Sequence, residues 1–174
     1  MRIACVILTM LGAGCLSLPG AQVETVDGRR VELALARGGT PAVVFEAGLG
    51  GSLEWWGKVF PEVSRKNTAF AYSRAGQGNS ADVDGPRDGA TVVEALRRVL
   101  KEKNVEPPYV LVGHSLGGLY MQWFARRYPD EVAGLEVADK YFEVRRTMTD
   151  IFERNYSCYG YRRIQSSLTN QCVK

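Results

Sequence analysis

The chain has 174 residues, 22 Lys+Arg against 19 Asp+Glu, and a single histidine. At roughly 100–200 residues per domain that length is one domain with small additions, and 45% hydrophobic with 24% charged residues is the balance of a globular chain. These figures exclude a mainly disordered chain, a multi-span membrane protein and a His-rich metal site.

Residues 1–21 read as a leader. Arg2 supplies one positive charge, a short apolar run follows, and Gly12-Ala13-Gly14-Cys15 closes it with small residues, the layout of a secretory signal. The run is short for a membrane-spanning helix. Cleavage before Cys15 would give a lipoprotein, attached to a membrane through that cysteine; cleavage after Ala21 would release the chain. Either implies export (periplasmic, secreted or lipoprotein). The alternative is a buried N-terminal strand or helix. No cysteine lies between Cys15 and Cys158, so no disulfide framework spans the body. Cys158 and Cys172 either pair or remain thiols.

Residues 22–139 alternate strands and helices. Val23 to Val26 and Val31 to Leu35 are β-prone runs joined by Asp27-Gly28, a hairpin signal. Pro41 to Glu46 is apolar enough for a strand buried on both faces, and it runs into the glycine-rich turn Gly48-Leu49-Gly50-Gly51-Ser52. Trp56, Val59, Phe60 and Val63 have helical spacing. Trp55 and Trp56 read as packing residues rather than substrate contacts. Thr68 to Tyr72 is a second buried-type strand. Thr91 and Glu94 form T-x-x-E, a capping box, ahead of the stripe Val92, Val93, Leu96, Val99 and Leu100. Pro107-Pro108 is expected to end that helix. Tyr109 to Val112 is a strand, Leu116 to Arg127 a helix stopped before Pro129, and Val132 to Val137 a last strand. Glu136 puts a charge in that strand, as expected of an exposed edge. The pattern predicts an α/β fold with a mostly parallel sheet covered by helices.

Gly113-His114-Ser115-Leu116-Gly117 matches G-x-S-x-G, the nucleophile elbow. A serine on a sharp strand-to-helix turn stands above the sheet at a helix N-terminus, which favours developing negative charge. Side chains at Gly113 and Gly117 would crowd that turn. In a chain of this composition the bare pattern arises by chance in roughly one case in ten, so the flanking strand and helix carry the weight.

Pro108 to Gly118 resembles the elbow region of the α/β-hydrolase family. Tyr72-Ser73-Arg74-Ala75-Gly76-Gln77-Gly78-Asn79-Ser80 is similar to the family's loop after its fourth strand, where many members carry Asp at the place of Ser73. Tyr128 to Leu135 resembles the approach to its sixth strand. The resemblance runs from about Val23 to Asp139. It implies a serine hydrolase acting on a carboxylic ester or related small acyl substrate, without a cofactor or metal. Ser115 would be the nucleophile, and the backbone N–H groups of Leu49 and Leu116 the oxyanion hole. Such chemistry needs a histidine base, which family members carry after the last strand with the acid before it. The one histidine here, His114, adjoins Ser115, and its side chain leaves the turn in another direction. Asp139 is the candidate acid, or a plain strand-terminal aspartate. The hydrolase core thus reads as incomplete, and the isolated chain as inactive.

Residues 140–174 change in character. They hold seven Lys+Arg and three acids, +4 against +3 for the whole chain, so residues before Lys140 sum to −1. Spacings of Met148, Ile151 and Phe152 and of Tyr161, Ile164 and Leu168 predict a short helical tail. Ile151 to Ile164 is similar to a helical segment of insertion-sequence transposases. That resemblance implies a fusion remnant, with the frame passing from hydrolase to transposase around residues 139–147. The bland alternative is an amphipathic basic tail. Arg145, Arg146, Arg162 and Arg163 would be the residues of a nucleic-acid-binding tail, against which stand export, which would separate the protein from DNA, and the modest size of the local charge.

Overall fold

The computed structural model describes residues 18–138. Residues 1–17 of the leader, Asp139 and the 140–174 tail, with the expectations attached to them, lie outside the described residues; of the leader's last residues, Leu18 is buried in the core and Ala21 opens the first strand.

Six strands form one sheet in the order β1-β2-β4-β3-β5-β6: β1 Ala21–Val26, β2 Arg29–Ala36, β3 Gly39–Glu46, β4 Asn67–Tyr72, β5 Tyr109–His114 and β6 Val132–Ala138. β1 and β2 make the hairpin expected at Asp27-Gly28, both residues having positive φ (49° and 72°). β2 is antiparallel to β4; the pairs β3–β4, β3–β5 and β5–β6 are parallel. The sheet is therefore mostly parallel in its centre and antiparallel at one side.

Central strands are buried on both faces, and their residues alternate between two cores. Val44, Phe70 and Leu111 face helices α2 (Gly89–Glu102) and α3 (Leu116–Arg127). Val43, Phe45, Ala69 and Val110 face Leu53, Trp56, Val59 and Phe60 on the other side. Each strand feeding two cores is the reason these runs read as continuously apolar rather than alternating.

Three local expectations need correction. Trp55 to Val63 is not one helix: a 3-10 turn, Leu53–Trp56, precedes a single helical turn, α1, Phe60–Val63. Pro61 has no N–H for an i→i−4 bond, so the helix restarts with proline in its first turn. The cap of α2 is Asp88, not Thr91: its carboxylate accepts from the N–H groups of Ala90 (2.9 Å) and Thr91 (3.0 Å). Glu94 instead accepts from the Tyr128 hydroxyl at 2.6 Å and Arg127 Nε at 2.8 Å. α2 also stops before Pro107-Pro108. Asn104 takes positive φ (50°), and the Val105 N–H reaches back to the Leu100 carbonyl at 2.9 Å, the geometry of a left-handed helix stop.

Among the described residues β6 lies at the sheet edge, yet Glu136 is fully buried. An edge exposes backbone hydrogen-bonding groups; it does not uncover the strand's faces. No helix of the described residues is long and apolar enough to cross a membrane.

Candidate active site

The chain leaves β3 toward β4 on one side, then returns to β5 on the other. That reversal makes the gap between the C-terminal ends of β3 and β5 a topological switch point, where open α/β sheets bind ligands. Two segments meet there: the turn 47–52 after β3 and the elbow 113–117 after β5. Glu46, Gly113 and Val137 stand in register across β3, β5 and β6.

Ser115 sits between β5 and α3 with φ 49° and ψ −118°, a conformation L-residues rarely adopt. It is exposed. Its N–H donates to the Ala138 carbonyl at 3.1 Å, and its carbonyl accepts from the Gly118 N–H at 2.9 Å. The elbow is thus tied to both β6 and the first turn of α3. Gly113 and Gly117 are required by space. A Cβ on Gly113 would come within 2.6 Å of Gly118 Cα, and one on Gly117 would overlap the carbonyl oxygens of Glu46 and Ala47. The backbone of α3 therefore lies directly on the end of β3.

Leu116 is the first residue of α3, so its N–H has no acceptor within the helix. Leu49 projects from the facing turn and is 79% exposed; Gly50 beside it has φ 70°, and the Gly51 N–H closes the turn on the Gly48 carbonyl at 3.2 Å. The structure thus brings Leu49, Ser115 and Leu116 to one end of the sheet. His114 turns aside from that gap. Its ring lies tilted against Trp55, centroids 5.0 Å apart, and its Nδ1 lies beside Gly48 with no hydrogen-bond partner among the described residues. Trp56 is core, as expected, whereas Trp55 is 46% exposed and lines the elbow. Asp139 falls one residue past the described strand.

Sequence reasoning missed a polar cluster beneath this gap. Glu46 is completely buried at the end of β3. Its Oε2 accepts from the Tyr72 hydroxyl at 2.5 Å, and its Oε1 pairs with Arg74. Burial pushes the carboxyl up to about 7, in spite of the Arg74 charge and the Tyr72 hydrogen bond. The signal is a glutamate ending one apolar strand, and a second apolar strand ending in Tyr72 with Arg74 two residues beyond it. Nearby, Ser73 accepts from the Leu53 N–H (3.0 Å) and donates to Glu32 (2.6 Å). Burial raises the Glu32 carboxyl, but hydrogen bonds from Ser73 and Asn79 outweigh it and hold the group below the usual range. Among the described residues no group of three His, Cys, Asp or Glu could hold a metal ion.

A family model described as the alpha/beta hydrolase fold matches residues 41–140. The uncharacterised protein YqjL of Bacillus subtilis is 31% identical over 116 residues, 66% of this chain and 46% of that protein. An AB hydrolase superfamily protein of Gibberella zeae is 30% identical over 90 residues, 51% of this chain and 28% of that protein. This chain therefore spans less than half the length of these relatives. Among solved structures, wild-type Cfl2 of Burkholderia cenocepacia superposes with a TM-score of 0.63 at 29% identity, over 68% of this chain and 40% of that one. The enol-lactonase of Burkholderia xenovorans gives 0.60 at 20% identity, over 66% and 45%; at that identity the likeness is one of fold.

Proposed function

Because the chain belongs to the alpha/beta hydrolase fold family, we propose that its chemistry is that of a serine hydrolase acting on a carboxylic ester or related acyl compound. One observation carries the reading: Ser115 is exposed and held at positive φ between a strand and a helix, at the switch point of the sheet. In this reading the Ser115 Oγ attacks the acyl carbon, and the N–H groups of Leu49 and Leu116 stabilise the developing oxyanion. The small-molecule substrate comes from outside the cytoplasm, where the leader directs the chain.

The attack also needs a group to take the serine proton. His114, the chain's one histidine, is turned against Trp55 and Gly48, which supports a nucleophile without its base. We therefore propose that the isolated chain turns over slowly or not at all. Asp139 is the acid of this reading. The 140–174 tail is the fusion remnant of this reading.

Added imidazole tests this. A chromogenic short-chain ester should be hydrolysed near the buffer rate by the chain alone. Millimolar imidazole should add a protein-dependent rate that Ser115→Ala removes. An increment that survives Ser115→Ala overturns the nucleophile assignment. Strong Ser115-dependent turnover without imidazole overturns the idea that the chain is disabled.

A further inference from the structure

Arg74 belongs to none of the steps above, yet it touches both segments that would supply the oxyanion hole. Its side chain is 10% exposed, and its guanidinium pairs with Glu46, which the Tyr72 hydroxyl also holds. From that anchor it donates to the carbonyl of Ala47 and to the carbonyl of Gly48, each at 2.5 Å. On its other side it lies 5.5 Å from the centre of the Tyr120 ring. Tyr120 is one helical turn beyond Leu116 on α3, so the two residues share a helix face.

The Gly48 carbonyl matters because of peptide geometry. That carbonyl and the Leu49 N–H belong to one planar trans unit and point in opposite directions. Fixing the oxygen toward Arg74 therefore fixes the hydrogen away from it. Hydrogen bonding to the oxygen also polarises the unit and strengthens its N–H as a donor. A lysine at this place would bring the charge but not a planar fork able to reach three oxygens.

We propose that Arg74 is a positioning residue: anchored by Glu46 and Tyr72, it aims the Leu49 N–H and holds the 47–49 turn against α3 at Tyr120. The catalytic meaning rests on the serine-hydrolase reading; the clamp itself does not.

The test uses the full chain with two variants. Arg74→Lys keeps the charge beside Glu46. The double variant Arg74→Gln with Glu46→Gln removes the buried charge along with its partner, so it avoids the cost of a stranded carboxylate. Amide exchange at Gly51, whose N–H closes the turn, should rise about tenfold in the double variant while β5 amides keep their wild-type protection. Imidazole-supported acylation of Ser115 by the activated ester should fall about 100-fold, the effect of losing one oxyanion donor, with KM nearly constant. Arg74→Lys should recover only part of that loss. Unchanged Gly51 exchange overturns the clamp. Faster exchange with unchanged Ser115-dependent acylation overturns its catalytic meaning, and full recovery by lysine overturns the fork. If acylation proves independent of Ser115, the nucleophile reading fails and Gly51 exchange alone decides the clamp.

Discussion

Ser115 occupies its place at a cost. At φ 49° and ψ −118° its Cβ crowds the backbone, and such strain is of order 1–3 kcal/mol. Glycine would relieve it while adding flexibility to the unfolded chain, a partial offset of roughly 0.5–1 kcal/mol. Ser115→Gly should therefore raise stability by about 1 kcal/mol in urea unfolding, whereas Ser115→Ala, which keeps the Cβ, should change it by less than about 0.5 kcal/mol. A destabilised glycine variant would show that the elbow is not strained. Glu46 stores free energy in a different form. In the folded chain its carboxyl holds a proton up to about pH 7, against about 4.5 when unfolded. Between those values the folded state binds more protons than the unfolded one, so stability falls as pH rises. The window of some 2.5 pH units corresponds to about 3 kcal/mol. Glu24 and Glu32, whose carboxyls are held down, work with the opposite sign and lose their contribution as pH falls through the acid range. Glu46→Gln should flatten the decline between pH 4.5 and 7.5. Parallel stability profiles for variant and wild type would mean that Glu46 ionises normally in the folded chain.

Helix α2 shows how an element can be legible while its ends are not. Its apolar stripe is visible in the sequence because period 3.6 survives any tertiary context, and Val93, Leu96, Val99 and Leu100 are indeed the buried residues. Its start was misplaced because Thr91 and Glu94 fit a local rule that two distant residues override: Arg127 and Tyr128 take the Glu94 carboxylate, leaving Asp88 to cap. Asp88→Ala should accordingly lower the thermal midpoint by a few degrees, and Thr91→Ala by clearly less, since the threonine hydroxyl only supports the capping carboxylate. Equal losses would restore the capping-box reading. The Asp88 contribution should fade in acid, because the Thr91 and Ala90 N–H groups hold its carboxyl below the usual range. The same division governs the site. Ser115, Leu116 and Gly117 were legible because a strand, a turn and a helix follow one another in the chain. Glu46, Tyr72 and Arg74 were not, because their meeting depends on β3 and β4 lying parallel with Phe45 opposite Ala71, a register fixed by both cores rather than by local signals.

For the molecule as a whole, the two cores are not separable parts. Val44 faces α2 and α3, while Val43 and Phe45 on the same strand face Trp56 and Phe60; Phe70 and Leu111 divide their strands in the same way. A strand that loses its partners on one face cannot keep its register on the other, so loosening either core should release both. Leu100 is wholly buried on the α2 side, remote from Trp56 on the opposite face. Leu100→Ala should cost about 2–5 kcal/mol, and the loss should reach Trp56 undiminished. With Trp55 and Trp123 replaced by phenylalanine, Trp56 is the remaining tryptophan of the three and reports its own face alone. Far-UV dichroism, weighted toward the 14 residues of α2 and the 12 of α3, reports the other. The two signals should give one urea midpoint in the reference chain and one lower, still shared midpoint after Leu100→Ala. If Trp56 fluorescence keeps its midpoint while the helical signal moves, the sheet does not couple its faces, and the two cores must be treated as separate folding units.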